Sequence, residues 1–283
     1  MGRTIAFEKY EGLGNDFVVV DRRRAELTTE EVIAICDRHR GIGADGVLFV
    51  EAEGEGHAMR VINADGSRAE MCGNGLRCVA LHLARTCRLA VGQATTIGTD
   101  AGPHLVRVLS SEASTGRVEV AMRAASLRPE DVPLRAETPM IDAELRPLDV
   151  PVRVTAVSMG NPHAVLFDTT GAARFGLGPL IQNHASFPQK ANVGFARMLE
   201  GVGHRAMELF VYERGAGWTE ACGTGACAAA VAAVETGRAT RGEAVEVRLP
   251  GGSLEIVVGA REERIRMTGP ARHVFTGSLV LAD

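Results

Sequence analysis

Two cysteines occupy the same place in two short glycine-rich motifs. Cys72 lies in MCGNGLRCVALHLA and Cys222 in ACGTGACAAAVAAV. Each motif continues into a run without proline or further glycine, which predicts that the cysteine stands at a helix N-terminus. The unpaired N–H groups of a first helical turn favour negative charge, so they lower the pKa of a thiol and suit a bound carboxylate. The motifs therefore predict two accessible thiolates beside carboxylate-binding helix starts.

Two such thiols suit the inversion of a carbon stereocentre. Inversion needs a base on one face of the carbon and an acid on the other. The α-hydrogen of an amino acid is a weak acid, so a site without a cofactor must hold the carboxylate with many amides and exclude water. The alternative, that both cysteines are merely buried apolar residues, is disfavoured because both stand at equivalent helix starts. The pattern indicates a two-base isomerase.

The cysteine motifs belong to an internal repeat. They lie 150 residues apart, and the same spacing aligns Asn63 with Glu213, each nine residues before its cysteine. A spacing of 146 aligns GNDFVVVD (14–21) with GNPHAVLFD (160–168). Several ordered matches indicate a duplication, and duplicated halves are expected to share a site between them.

Both halves contain many strand-like runs, β-branched or alternating and bounded by Gly, Asn, Asp or Pro. Long helices are predicted at Thr29–His39, Gly75–Arg88 and Gly225–Glu235. The segment Leu127–Pro151 contains five prolines and is predicted to link the halves. Strand-rich halves that each carry a long helix after Cys-Gly predict an α+β fold, with the helix packed in a sheet.

Composition excludes several classes of protein. The 283 residues carry a formal net charge of −4, and nucleic-acid-binding proteins usually show a basic surface instead. No apolar run approaches the roughly 18 residues of a membrane span, and the N-terminus lacks a signal-peptide pattern. We expect a cytoplasmic protein with reduced cysteines. No C-x-x-C pair is present, so no metal site is predicted.

Five segments resemble signature blocks of the diaminopimelate epimerase family: KYEGLGNDFVVVD, NADGSRAEMCGNGLRC, SMGNPHAV, FPQKANVGF and VYERGAGWTEACGTGAC. The resemblance extends in order from Lys9 to about Gly277. It implies a homodimeric epimerase without cofactor or metal that interconverts LL- and meso-2,6-diaminoheptanedioate in lysine and peptidoglycan precursor synthesis. It also implies two pseudosymmetric domains, each a barrel-like sheet around a central helix. The first comprises residues 1–126 with strand 272–283, and the second 127–271.

The resemblance also assigns site residues. Cys72 and Cys222 are implied to be the acid/base pair, tuned by His163 and Glu213. The implied substrate-binding residues are Asn15, Gly46, Asn63, Gly73, Asn74, Asn161, Asn192, Glu213, Arg214, Gly223 and Thr224. Arg214 offers a two-point fork for the distal carboxylate and is expected to be buried. Phe275 is implied to lie at the dimer contact.

Three positions depart from the family pattern. Gly46 stands where some members have a glutamine, so any contact with substrate there is through the backbone only or is absent. Trp218 replaces a residue that is often small or polar, and Met122-Arg123-Ala124 lacks a glycine often found before the linker. These last two departures are expected to affect packing and loop shape without changing the reaction.

Three alternatives remain open from the sequence. One is another racemase or isomerase of the same fold, such as a proline or hydroxyproline racemase or an aconitate-type isomerase. A substrate without a second amino-acid end would leave the polar groups of Asn63, Asn192 and Arg214 unpaired, which is costly. The second alternative is a metal-binding module of cysteines and His163, although the C-x5-C and C-x4-C spacings are unsuitable. The third is a redox protein with a Cys72–Cys222 disulfide.

Overall fold

The computed structural model describes residues 2–22, 26–54, 56–169, 171, 173–201 and 205–281. Contacts between residues divide the chain into two units, Met1–Ala121 with Thr268–Asp283, and Met122–Met267. These boundaries lie a few residues before those expected from the sequence. Ser126 belongs with the second unit because its backbone pairs with that of Ser158. Pro270 lies in the first unit, where its carbonyl accepts a hydrogen bond from Arg77.

The first unit contains a sheet that closes on itself. Its helices are α1 (Thr29–Cys36) and α2 (Gly73–Arg85). Its strands are β1 (Arg3–Gly12), β2 (Asn15–Asp21), β3 (Gly46–Glu53), β4 (Gly56–Asn63), β5 (Arg68–Ala69), β6 (Ala94–Gly98), β7 (His104–Glu112), β8 (Thr115–Met122) and, at the C-terminus, β17 (Ile265–Leu281). The last residue of β8 and the first three residues of β17 belong to the second unit. Strands β1 to β4 pair in sequence order, β4 continues to β6, β7 and β8, and β17 pairs with both β8 and β1.

The second unit repeats this pattern. Its helices are α3 (Ala173–Gln182) and α4 (Gly223–Glu235), with a short 3-10 turn at Pro147–Asp149. Its strands are β9 (Ala143–Leu145), β10 (Val152–Ser158), β11 (Pro162–Phe167), β12 (Asn192–Leu199), β13 (Ala206–Glu213), β14 (Gly217–Thr219), β15 (Ala244–Leu249) and β16 (Gly252–Val257). In both units an antiparallel pair is followed by a parallel pair, β2–β3 in one and β11–β12 in the other. The predicted α+β fold and internal repeat are confirmed.

The long helix of each unit is central to its sheet. Every residue from Asn74 to Leu83 of α2 is buried, as is every residue from Gly225 to Ala233 of α4. The alanine-rich sequence of α4 allows strands to approach it closely, whereas α2 also buries the polar side chains of Asn74, Arg77 and His82. Each helix begins two residues earlier than predicted, at the glycine directly after its cysteine.

Several elements differ from the sequence predictions. Helix α1 ends at Cys36 and not at His39, and α2 ends at Arg85 and not at Arg88. Helix α3 was missed because Gly176, Gly178 and Pro179 interrupt its apolar pattern. The segment Leu127–Pro151 was predicted to be a linker, but it contains β9, which pairs with β10. Met140 and Leu145 of this segment belong to the hydrophobic core of the second unit. The number of prolines therefore led to a wrong prediction, because this segment packs into the second unit and is not a free linker.

Candidate active site

Each repeated cysteine is the N-cap residue of its long helix. Cys72 has φ −138° and ψ 114°, and Cys222 has φ −133° and ψ 104°. The Sγ atom of Cys72 accepts a hydrogen bond from the N–H of Gly75 at 3.4 Å. The Sγ atom of Cys222 accepts one from the N–H of Gly225 at 3.3 Å. The predicted helix-start geometry is confirmed, with sulfur in the place of the usual capping oxygen.

Two asparagines lie beside Cys72 in the first unit. The thiol of Cys72 faces Asn15 Oδ1 at 3.9 Å. The Nδ2 atom of Asn74 donates to the same oxygen at 3.3 Å. Asn74 is the second residue of α2 and is buried. The structure thus places Cys72, Gly73, Asn74 and Asn15 together.

Asn63 and Gly46 face each other across β3 and β4. Asn63 Nδ2 donates to Ser67 Oγ at 2.9 Å, so its carboxamide is held by the turn after β4. A Cβ atom on Gly46 would lie 2.7 Å from the carbonyl oxygen of Ile62. A glutamine at position 46 would therefore require a shift of the backbone, and glycine presents only its main chain here.

Cys222 in the second unit lies close to a carboxylate. Burial raises the pKa of Cys222 well above its usual range, and the charge of Glu213 raises it further. Hydrogen bonds involving Thr224 and the Gly225 N–H oppose this shift without cancelling it. The prediction of a thiolate-favouring pKa is therefore wrong for Cys222. Desolvation and a neighbouring negative charge outweigh the helix start.

Glu213 is held in place by a neighbouring hydroxyl. It ends β13, opposite Gly217 of β14, and its Oε1 accepts a hydrogen bond from Thr219 Oγ1 at 2.6 Å. The Thr224 hydroxyl lies 3.6 Å from Cys222 Sγ. The structure thus places Cys222, Glu213, Thr224 and the intervening Gly223 in one group.

His163 is completely buried next to Asn161. Burial and then the positive charge of Arg214 lower the pKa of His163 to about 3, so the imidazole is neutral. Its Nε2 lies 3.1 Å from Asn161 Oδ1, which can only accept, so Nε2 carries the hydrogen. The other ring nitrogen, Nδ1, is buried without a hydrogen-bond partner among the described residues. Asn161 Nδ2 donates to Thr224 Oγ1 at 3.5 Å.

Asn192 and Arg214 lie next to each other in the second unit. The backbone N–H of Arg214 donates to Asn192 Oδ1 at 2.7 Å. The guanidinium Nη1 of Arg214 donates to the carbonyl of Gln189 at 2.9 Å. Arg214 is exposed, which corrects the expectation of a buried charge. It occupies the turn between β13 and β14.

Arg77 and Asp45 were missed by the sequence analysis. Arg77, on α2, is completely buried and donates to Asn74 Oδ1 at 2.9 Å. Asp45 accepts a hydrogen bond from Asn15 Nδ2. The available signal was an arginine within the apolar stretch LRCVAL of the predicted helix, because a charge among apolar residues needs dedicated partners.

Two other residues named from the sequence, Phe275 and Trp218, make aromatic contacts. Phe275 on β17 is 44% exposed and packs edge-on against Phe7, with ring centroids 5.9 Å apart. Trp218 packs against Phe175, Phe195 and Tyr212.

All six cysteines are free. The described residues include no cluster of His, Cys, Asp and Glu suited to a metal ion. No helix in the described part of the chain is long and apolar enough to span a membrane.

Comparison with known structures identifies the fold. A phenazine biosynthesis protein of the PhzF family from Bacillus anthracis superposes with a TM-score of 0.71 at 16% identity, over 99% of this chain and 100% of that one. A probable proline racemase from Agrobacterium radiobacter gives a TM-score of 0.67 at 15% identity, over 98% and 93% of the two chains. At these identities the similarity shows the fold alone.

Sequence comparison identifies the family. The sequence profile described as diaminopimelate epimerase matches twice, at residues 7–127 and 155–274, once in each half of the repeat. The diaminopimelate epimerase of Microcystis aeruginosa is 43% identical over 285 residues, which cover 96% of this chain and 98% of that protein. The chain belongs to the diaminopimelate epimerase family.

Proposed function

We propose that this isomerase interconverts LL- and meso-2,6-diaminoheptanedioate by moving a proton at one α-carbon. The observation that carries the proposal is the repeated N-cap cysteine at the start of each buried helix. The relatives that share its sequence over nearly full length are named for this reaction. The product would supply lysine and peptidoglycan precursor synthesis.

Cys72 and Cys222 are the proposed acid/base pair. In one direction the Cys72 thiolate takes the α-hydrogen as a proton, and the C–H electron pair remains on the substrate carbon and its carboxylate. The Cys222 thiol then delivers its proton to the opposite face of the same carbon and becomes a thiolate. The reverse direction exchanges the two roles.

The surroundings of Cys222 support its role as the acid in this direction. Burial and Glu213 keep Cys222 protonated, as an acid requires. The repeat-equivalent position in the first unit is Asn63, which carries no charge. Once the Cys222 thiol has given up its proton, the charge of Glu213 favours protonation of the resulting thiolate.

The helix starts are the proposed binding sites for the reacting carboxylate. The N-terminal amides of α2 and α4 belong to Gly73, Asn74, Gly223 and Thr224, and free amides at a helix start bind anions. Arg214 is proposed to bind the distal carboxylate through its planar guanidinium. Asn63, Asn161 and Asn192 each offer a donor and an acceptor for the substrate's amino and carboxylate groups. His163 stays neutral and orients Asn161.

The proposal extends to the state of the protein in the cell. The enzyme acts without a metal or organic cofactor, as a cytoplasmic homodimer with Phe275 at its contact. The exposed apolar side chains of Val274, Phe275 and Val280 on β17 support the contact, because large apolar groups on a strand favour association.

The decisive experiment is incubation of the purified protein with LL-diaminopimelate in deuterium oxide. The expected result is meso product with deuterium at one α-carbon, formed without added metal or cofactor. Lysine and proline are the comparison substrates. Equal turnover of proline would assign the protein to another reaction of the same fold, and the absence of exchange with every substrate would reject the two-base proposal.

A further inference from the structure

The carboxamides of Asn15 and Asn74 beside Cys72 belong to a hydrogen-bonded chain. Asn74 Nδ2 donates to Asn15 Oδ1 at 3.3 Å, and the Cys72 thiol faces that same oxygen at 3.9 Å. A carboxamide has a donor end and an acceptor end of nearly equal shape. Its partners therefore decide which end faces the thiol.

Arg77 determines the orientation of Asn74. A guanidinium can only donate hydrogen bonds, and its Nη2 lies 2.9 Å from Asn74 Oδ1. Its Nε donates to the carbonyl of Pro270 at 3.0 Å, which anchors the completely buried side chain. The oxygen of Asn74 must face Arg77, so the NH2 group of Asn74 faces Asn15.

Asp45 determines the orientation of Asn15. An ionised carboxylate can only accept, and Asp45 Oδ2 accepts from both Asn15 Nδ2 and the backbone N–H of Asp16. The other oxygen, Oδ1, accepts from Arg38 Nη2 at 2.7 Å. The NH2 group of Asn15 is therefore turned toward Asp45, and its oxygen faces Cys72.

The second unit lacks this arrangement. The repeat places Cys227 at the position of Arg77 and Ala191 at that of Asp45. Asn161, the counterpart of Asn15, accepts from His163 and donates to Thr224. Asn15 thus presents its oxygen to the helix start, whereas Asn161 presents its NH2 group. A pair of charges needed only for the stability of this fold would be expected in both units.

We propose that Arg77 and Asp45 are positioning residues, which set the polarity of the Asn74 and Asn15 carboxamides that meet the substrate at Cys72. The inference rests on the proposed function. With this polarity, an acceptor oxygen lies beside the base and can bind the substrate's α-ammonium group. A flipped Asn15 would present a donor to that ammonium group and weaken productive binding.

The variants are Arg77→Met, Arg77→Lys and Asp45→Asn. The methionine removes the donor and the charge, whereas lysine restores one donor to Asn74. Asparagine at position 45 has one acceptor oxygen and cannot satisfy both Arg38 and Asn15. Arg85→Met is the matched control, because Arg85 lies on the same helix and donates to the carbonyl of Ala113. Deuterium exchange, thermal unfolding and the side-chain 15N–1H signals of Asn15 and Asn74 are measured for each variant.

We expect Arg77→Met and Asp45→Asn to lower kcat/KM by about 10- to 100-fold, as for loss of a buried polar partner. Arg77→Lys should recover part of that loss, and Arg85→Met should stay within about twofold of the parent. The Asn74 side-chain signal should shift in Arg77→Met and return toward the parent in Arg77→Lys.

Full activity in Asp45→Asn, or equal activity of Arg77→Lys and Arg77→Met, would overturn the proposal. If Arg77→Met does not fold, Arg77→Lys and Asp45→Asn decide the result. If the parent enzyme exchanges no α-hydrogen, the proposed function fails. The carboxamide signals still test the orientation of Asn15 and Asn74 in that case, and unchanged signals would reject the inference separately.

Discussion

At Cys222, opposing influences act on one sulfur atom. The Gly225 N–H and the Thr224 hydroxyl favour a thiolate, whereas burial and Glu213 favour the thiol. Burial has the largest effect on the pKa of Cys222. An exposed cysteine at a helix start would not experience this desolvation. A cysteine held as a thiol is suited to deliver a proton, and a carboxylate beside it can limit how long the thiolate persists.

Replacement of either proposed catalytic cysteine should strongly reduce epimerisation. We expect Cys72→Ala and Cys222→Ala each to lower turnover by about 100- to 10,000-fold, because each removes one proton-transfer group. Deuterium exchange from both LL and meso substrate provides the measurement. Cys87→Ala is the control, since Cys87 is exposed at the far end of α2. Near-normal turnover of either catalytic variant in both directions would contradict the two-base reaction.

Glu213→Gln should lower the pKa of Cys222. The amide keeps the size of the side chain but removes the charge that disfavours the thiolate. The measurement is the pH dependence of Cys222 alkylation by iodoacetamide, followed by mass spectrometry. Glu220→Gln is the control because Glu220 is exposed on the same segment. An alkylation profile that stays at the same pH in Glu213→Gln would show that burial alone sets the pKa.

At the scale of elements, each helix start depends on a glycine three residues after the cysteine. A Cβ atom at position 225 would lie 3.1 Å from Cys222 Sγ and 3.1 Å from Val211 Cγ2. These distances are shorter than ordinary van der Waals contact, and Gly225 is buried between strand and helix. Because position 225 has no Cβ atom, the first turn of α4 and the Cys222 thiol can both pack against β13.

Gly225→Ala should displace the Cys222 thiol. We expect a loss of stability of roughly 1–3 kcal/mol from overpacking, with a larger loss of turnover than of folded protein. Gly176→Ala in α3 is the control, because a Cβ atom there meets nothing within 4 Å. That control should raise stability by up to about 1 kcal/mol through helix propensity. Urea unfolding and deuterium exchange are compared, and unchanged exchange in Gly225→Ala would reject the steric argument.

At the scale of the whole chain, the repeat preserves the scaffold while its residues diverge. The strand pairings and the capped central helices recur, and these follow from patterns that both halves of the sequence carry. Two charged residues of the site do not recur: Glu213 corresponds to Asn63, and Arg77 to Cys227. The duplicated fold thus provides two equivalent thiols in different electrostatic surroundings.

The sequence predicted what depends on local patterns. The Cys-Gly-x-Gly motifs located both helix starts because capping and glycine conformations are local properties. The exposure of Arg214 and the raised pKa of Cys222 depend on neighbours from other strands, so spacing alone could not predict them. Arg77 was missed for the same reason, since Pro270, whose carbonyl accepts a hydrogen bond from Arg77, lies 193 residues away in the sequence. Helix α3 was hidden by its internal glycines and proline.

Global stability should fall in acid through Glu8 in the first unit. Glu8 accepts from Tyr10 Oη at 2.8 Å, and His82 Nδ1 and His273 Nε2 lie 3.3 and 3.5 Å from its oxygens. Burial acts to raise the pKa of Glu8, but these hydrogen bonds and charges outweigh it and lower the pKa from 4.5 to about 2. A carboxylate with a lowered pKa in the folded state stabilises that state above the unfolded pKa. This stabilisation is lost as the pH falls from about 4.5 to 2.

Glu8→Gln should therefore cost at most about 3 kcal/mol at pH 6 and progressively less in acid. The measurement is the free energy of unfolding in urea at several pH values between 6 and 3 for the parent and the variant. Glu112→Gln is the control, because Glu112 is an exposed glutamate of the same unit. The control should follow the parent, whereas the curves for the parent and Glu8→Gln should converge as the pH falls. Parallel curves would show that the Glu8 carboxylate does not contribute to acid unfolding.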